Sequence, residues 1–351
     1  MTMKTITWRS LRKLSLTAFR TLGGFQLMLN SAWRRERLLI LCYHGVSIDD
    51  EHEWNPALYM PQHELQQRLE ILRASRASIV PLHEGIARLY AGTLPERSVV
   101  ITFDDGYCDF RERAHPVLRA FGVPVTVYLT TLRCERNLPI FRLICPYLFW
   151  KSRGRVLDYQ EIGAVLDLRT AEGRVRAFDQ LNAFAVRERL DIYGRNRLAA
   201  QTAARLGFDY EALTAQRILT IMAPDDVRAL SAAGVRFELH THTHTTPTAA
   251  DIFEREISKN RAMIEQMTHN SSVHFCYPSG VYRPELLTWL RDQDMVSATT
   301  CDPGLACRRS NPLLLPRFVD STRVSGVEFE GWVAGAASFL SRTRSHADST
   351  H

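Results

Sequence analysis

The stretch Ser98-Val99-Val100-Ile101-Thr102-Phe103-Asp104-Asp105-Gly106 decides how this chain folds. A continuous apolar and β-branched run without polar alternation reads as a strand buried on both faces, the mark of a parallel sheet. Two carboxylates stop it, and a glycine lets the chain turn sharply. Neighbouring side chains on a strand point opposite ways, so one aspartate can bind a metal while the other handles protons. The plainer reading is an Asp-Gly turn whose carboxylate caps the following helix.

Outward from that strand, apolar runs alternate with helical spacing. Leu38–Tyr43, Ser78–Leu82 and Val123–Leu129 read as strands. Glu64–Arg73, Glu84–Tyr90 and Arg111–Phe121 read as helices. Residues 132–222 break the rhythm: rich in Arg, Ala and Leu at helical spacing, they predict a mainly helical insertion. The alternation then resumes through Pro224–Ala233, Arg236–His240, Asp251–Met267, His274–Tyr277, Pro284–Arg291 and Val296–Thr300, closing with a helix at Val327–Ser341. Repeated strand–helix units imply an α/β fold with a parallel sheet and helices outside. An open sheet and a closed barrel fit this periodicity equally, and both place reactive residues just past strand C-termini.

The 351 residues have 45% hydrophobic and 23% charged content, which excludes a disordered chain and a bundle of membrane spans. The net charge of +6 is local. Residues 1–37 hold eight Lys and Arg against Glu36 alone, and the rest of the chain is near neutral. Nucleic acid is therefore not an expected partner. Leu11, Leu14, Ala18, Leu22, Phe25, Leu29 and Trp33 recur at spacings of three and four in this basic arm. Such a segment either lies on a membrane surface or packs on the body. Seven cysteines at irregular spacings, with no CxxC pair, predict reduced thiols. No cleavable leader or span is read from the sequence, so the expected place is the cytoplasm, or the inner membrane surface.

A second polar cluster, Glu238-Leu239-His240-Thr241-His242-Thr243-His244, ends another predicted strand. Imidazole is the common ligand of zinc and related metals. Residues four apart on an extended strand lie about 13 Å apart. His240 and His244 can therefore share an ion only if the chain bends, whereas His240/His242 or His242/His244 need no bend. Two histidines and a carboxylate serve hydrolysis through an activated water or non-haem iron oxygenation.

Thr102-Phe103-Asp104-Asp105-Gly106 and His240-Thr241-x-x-His244 together resemble the first two motifs of the polysaccharide deacetylases, the NodB-like carbohydrate esterases. Leu41–Val46, Phe275–Gly280, Ala298–Gly304 and Leu315-Pro316-Arg317 resemble further segments of members linked to exopolysaccharide biosynthesis. The resemblance covers roughly residues 38–131 and 223–320. It implies a distorted (β/α) barrel over 38–344, with the helical insertion at about 132–222, preceded by the arm 1–37 and followed by a disordered tail 345–351. It also implies a divalent metal, most often zinc, and an N-acetylated glycan as substrate. By motif, Asp105, His240 and His244 become the ligands and Asp104 the general base. Tyr277, Pro278 and Ser279 supply the substrate and oxyanion contacts, and His242 becomes a neighbour of the ligands.

The chain departs from better-known members in three places, one being Ser279, which stands where they carry an aromatic residue after the proline. Cys276 stands where they carry an arginine that positions the base, and Leu315-Pro316-Arg317 stands where they carry a histidine acid. Arg317 stays protonated and cannot serve as that acid. It can hold Asp104 or the substrate. His44 and His242 are the remaining candidates for the acid. Tyr147, Phe149, Trp150 and Tyr159 in the insertion are candidates to stack on sugar rings, or are core. Besides sugar N-deacetylation, the same residues admit hydrolysis of a formyl or cyclic amide, or glycan binding without catalysis.

Overall fold

A computed structural model describes residues 8–340. The predicted tail 345–351, the first residues of the basic arm and Ser341 lie outside them. A single parallel sheet carries the fold. From one edge the strands run Ser297–Thr299, His274–Cys276, Arg236–Leu239, Thr126–Leu129, Ser98–Phe103 and Arg37–Tyr43. Ser78–Ile79 extends it beside Ser98–Phe103, and Ala306–Cys307 is its single antiparallel member. The long register between Arg37–Tyr43 and Ser98–Phe103, Leu39 opposite Val99 through Tyr43 opposite Phe103, makes these two strands the spine.

The sheet curls into a distorted barrel of the (β/α) type. The segment 315–319 reaches both edges: Leu315 bridges to Thr299, while Phe318 and Val319 pair with Leu41 and Cys42. The two faces of the pleat divide by parity. Leu39, Leu41, Tyr43, Val99, Ile101 and Phe103 join the large core beneath the helices. Leu38, Ile40, Val100, Tyr128, Cys276 and Leu315 form a smaller cluster inside the barrel. Residues that continue the second set past the strand ends, such as His44, Asp104 and His240, therefore face the barrel mouth.

Helices form close to their expected positions, with differences that have local causes. The helix after the Asp-Asp-Gly turn opens as a π-turn at Phe110–Ala114 before His115–Ala120. The closing helix Gly326–Ala334 stops at Gly335, whose φ is 85°, and continues as a 3₁₀ turn. The insertion contains the helices Phe141–Lys151, Ala171–Arg187, Ile192–Leu206 and Tyr210–Ala215. It also holds an antiparallel hairpin, Val156–Tyr159 with Ala164–Asp167. The sequence reading passes over this hairpin because Val156 and Val165 are exposed and only Tyr159 and Leu166 are buried, too few for a period of two to show. Tyr147, Phe149 and Tyr159 belong to the insertion's own core. Trp150 stacks on Tyr147 and lies under the Arg153 guanidinium. Of the two readings of these four, the core one holds and the sugar-stacking one does not.

The arm forms three helices, Trp8–Thr21, Gly24–Leu29 and Ala32–Arg35. Leu16, Phe25 and Leu29 pack into the main core, and Arg12 and Arg20 pair with Glu328 and Glu330 at 3.1 and 3.2 Å. The row Leu11, Leu14 and Leu22 faces away from the body, with Leu22 83% exposed. Among the described residues, no helix is long and apolar enough to cross a membrane.

Candidate active site

The even-numbered residues at the strand ends, Cys42, His44, Thr102, Asp104, His240 and Cys276, converge at the barrel mouth. Asp104 is buried there, with Arg317 entering from the closing segment 315–319. Arg317 Nη1 donates to Asp104 Oδ1 and Nη2 to Oδ2, each at 2.7 Å. Its Nε donates to the Thr300 carbonyl at 2.8 Å, which fixes the plane of the fork. The Cys42 and Cys276 thiols donate to Asp104 Oδ2 at 3.3 and 3.4 Å. Burial pushes both thiols well above the usual range, so they remain protonated donors. Burial also works to raise the Asp104 carboxyl, but the Arg317 charge and fork override it and hold Asp104 well below the usual range. An arginine thus reaches Asp104 from a distant position and passes 3.0 Å from Cys276 Sγ.

Asp105 stands beside this pair in a left-handed conformation, φ 68°, which sends its side chain the other way. Its Oδ1 lies 3.3 Å from His240 Nε2 and 3.0 Å from His244 Nε2. The bend that a His240/His244 pair demands is present. The strand ends at Leu239, and Thr241 and His244 adopt φ of 60° and 59°. For a β-branched residue such as Thr241 this is a strained conformation, and strain of this kind gathers at functional sites. The Thr241 hydroxyl accepts from the Thr245 N–H at 3.2 Å, which closes the turn. The two imidazole rings end 4.9 Å apart.

These three side chains fit a metal. Their donor atoms lie within 4.8 Å of one another. Asp105 Oδ1 is buried and finds no hydrogen bond of acceptable geometry, despite both imidazoles beside it. His240 Nδ1 lies 2.8 Å from the Cys276 carbonyl, an acceptor, so Nδ1 carries the hydrogen and the Nε2 lone pair is free. Tetrahedral zinc ligands stand about 3.4 Å apart, close to the observed separations. Two further donor clusters, Cys42/His44/Asp104 and Asp104/His240/Cys276, share Asp104. That carboxylate is already committed to the Arg317 cation, and a second cation there would meet like charge.

His44 lies 3.9 Å from Asp104 through Nε2, and its Nδ1 has no hydrogen-bond partner. Burial lowers its pKa, so the ring is neutral near pH 7. His242 turns elsewhere, its Nδ1 2.9 Å from the Thr131 hydroxyl. Tyr277 and Pro278 are buried, and the Tyr277 hydroxyl donates to the Leu313 carbonyl at 2.9 Å. Of the third-motif trio only Ser279 lines the open cleft, with φ of 56°. That cleft, about 370 Å³, is also lined by Asp105, Tyr107, His242 and His244, and by Arg133 and Arg142 of the insertion.

Sequence reasoning misses Asn260. It is fully buried in the helix Ala250–Thr268. Its Oδ1 accepts from the His240 N–H at 2.9 Å, and its Nδ2 donates to the Leu129 carbonyl and the Thr131 hydroxyl at 2.9 and 3.0 Å. One signal was available: a polar residue on the apolar face made by Phe253, Ile257 and Ile264.

The polysaccharide deacetylase family model matches residues 91–298, more than half of the chain. The chain belongs to the polysaccharide deacetylase family. A Bacillus subtilis protein named as a polysaccharide deacetylase, YxkH, is 31% identical to this family member over 104 residues. That match covers 28% of this chain and 35% of the relative's length. Among solved structures, the Streptococcus pyogenes deacetylase PplD in complex with acetate is similar at a TM-score of 0.57 and 16% identity, covering 86% of this chain and 98% of that one. IcaB from Ammonifex degensii is similar at 0.53 and 16%, covering 86% and 97%. At such identities these two structures show the fold of this family member alone.

Proposed function

We propose that the protein is a metal-dependent hydrolase that removes acetyl groups from an N-acetylated amino sugar, within a polysaccharide, an oligosaccharide or a lipid-linked precursor. One observation carries the reading: Asp105, His240 and His244 converge beside a carboxylate clamped by a buried arginine, at the edge of an open cleft.

Asp105, His240 and His244 would hold a divalent ion, zinc being the one most often met with such ligands. The ion would polarise the acetamide carbonyl and lower the pKa of water. Asp104, oriented by the Arg317 fork, takes a proton from the attacking water. So strongly stabilised a carboxylate does not keep that proton. His44, neutral and 3.9 Å away, is the group to receive it and pass it to the departing nitrogen. The Ser279 backbone N–H donates to the oxyanion as it develops. A C–O bond forms, the C–N bond breaks, and acetate and a free amine leave.

The test is acetate release from a panel of N-acetylated oligosaccharides by the zinc-loaded protein. Turnover by wild type, and its loss in Asp104→Asn, is expected. Failure of the whole panel with metal bound, or undiminished turnover by Asp104→Asn, overturns the reading. Replacing His44 with Gln tests the proton path. Amide turnover should fall by about 10²-fold or more, while an acetyl ester with a weakly basic leaving group is spared.

A further inference from the structure

The cleft beside Asp105 and His244 is lined by two guanidinium groups that the chemistry above does not use. Arg133 follows the turn at Thr131–Leu132, and Arg142 sits in the first turn of the helix Phe141–Lys151. Both belong to the insertion, which carries 15 Lys and Arg against 10 Asp and Glu. Its other arginines are mostly committed: Arg169 pairs with Asp167, Arg205 with Glu161 and Arg217 with Asp226, while Arg155 donates to the Leu206 carbonyl. Among the described residues, neither Arg133 nor Arg142 has a carboxylate within 4.0 Å. Glu256, close by, is tied to the Thr243 N–H and hydroxyl at 2.8 and 3.0 Å.

Both positions are unfavourable for a cation without a partner. Arg133 is half-buried, and burial together with the nearby Arg195 lowers its proton affinity. Arg142 places positive charge at the positive end of a helix dipole, in a first turn that contains no acidic residue. Each would be stabilised by an anion in the cleft. A neutral acetamido sugar offers none. The planar fork of arginine matches the oxyanion of phosphate or carboxylate.

Resting on the deacetylase reading, we propose that Arg133 and Arg142 form a subsite for an anionic group on the glycan, a phosphate or a uronate, so that acidic or phosphate-linked N-acetylated glycans are the preferred substrates. The insertion then selects the substrate while the barrel performs the hydrolysis.

Three substrates test this: a neutral N-acetylglucosamine oligosaccharide, the same chain with a terminal phosphate, and the same chain with a terminal uronate. Wild type should favour at least one acidic form by about tenfold or more in KM, less so as salt rises. Preference for the phosphate form alone identifies phosphate as the group, and for the uronate form alone a carboxylate. Arg142→Gln and Arg133→Gln should bring the acidic-to-neutral ratio of kcat/KM toward one, and Arg142→Glu should bring it below one. Arg142 is exposed, so its variants should fold even if those of Arg133 do not. Equal KM for all three substrates, or a ratio untouched by Arg142→Glu, overturns the proposal. Calorimetric binding of glucose 1-phosphate and glucuronate separates the two readings. Arginine-dependent binding without any acetate release supports the subsite and refutes the deacetylase. Acetate release without such binding or preference does the reverse.

Discussion

Arg317 and Asp104 lie 213 residues apart in sequence and meet as a two-pronged ion pair inside the barrel mouth, both contacts at 2.7 Å. One partner closes the sheet and the other ends its strongest strand. Position and protonation of the proposed base therefore depend on a residue outside the motif that contains it.

Arg317→Met leaves a buried carboxylate without its cation, which costs about 3–5 kcal/mol. Chemical denaturation should show that loss, and acetate release should vanish. Adding Cys276→Arg to Arg317→Met should restore part of both, because Cys276 Sγ lies only 3.0 Å from the Arg317 fork. If the double variant is no better than the single one, the two positions do not exchange roles.

Metal removal offers a separate check. Chelation should abolish acetate release, and zinc should restore it. Thermal stability should rise with zinc, by about 2.7 kcal/mol at a hundredfold excess over Kd. Asp105→Asn, His240→Gln and His244→Gln should each bind less than one equivalent by elemental analysis. Full stoichiometry in all three would place the ion elsewhere.

Asn260→Leu strips the His240 N–H, the Leu129 carbonyl and the Thr131 hydroxyl of a buried partner. Stability should fall by about 3 kcal/mol. Zinc affinity should weaken about 10- to 100-fold, because His240 loses its anchor. A zinc titration at matched folded fraction reads the second effect apart from the first.

His274 provides a pH signature away from the site. It is buried against Ser297, 2.8 Å from that hydroxyl. Burial, with His83 and Arg236 nearby, lowers its pKa from 6.5 to about 4. Below pH 6.5 the unfolded chain binds a proton that the folded one refuses. Stability therefore falls as pH drops from about 6.5 to 4, by up to about 3 kcal/mol from this group. His274→Asn keeps a polar contact to Ser297 and should flatten that part of the stability–pH curve. An unchanged slope in the variant assigns it to other residues.

Much of this was legible because it is local. Ser98–Phe103 declares a buried strand through its own side chains, and Asp104 and Asp105 follow from where it ends. The His240/His244 pair was legible only through resemblance, since spacing alone left three pairings open. The bend at Thr241 rests on a backbone conformation that threonine rarely adopts, and no propensity announces it. Arg317 could be named but not placed, because its contact depends on how the sheet closes. Asn260 was hidden for a related reason, since its partners come from segments distant in the chain, whereas the hairpin at 156–167 is local and buries too few residues for its period to show.

The closing segment 315–319 has a consequence in time. During synthesis the Asp-Asp-Gly turn and both histidines leave the ribosome well before residue 317 does. Until that last piece docks, the buried carboxylate has no counter-charge and the sheet has a free edge. On the proposed reading, completing the fold and arming the base Asp104 become the same event.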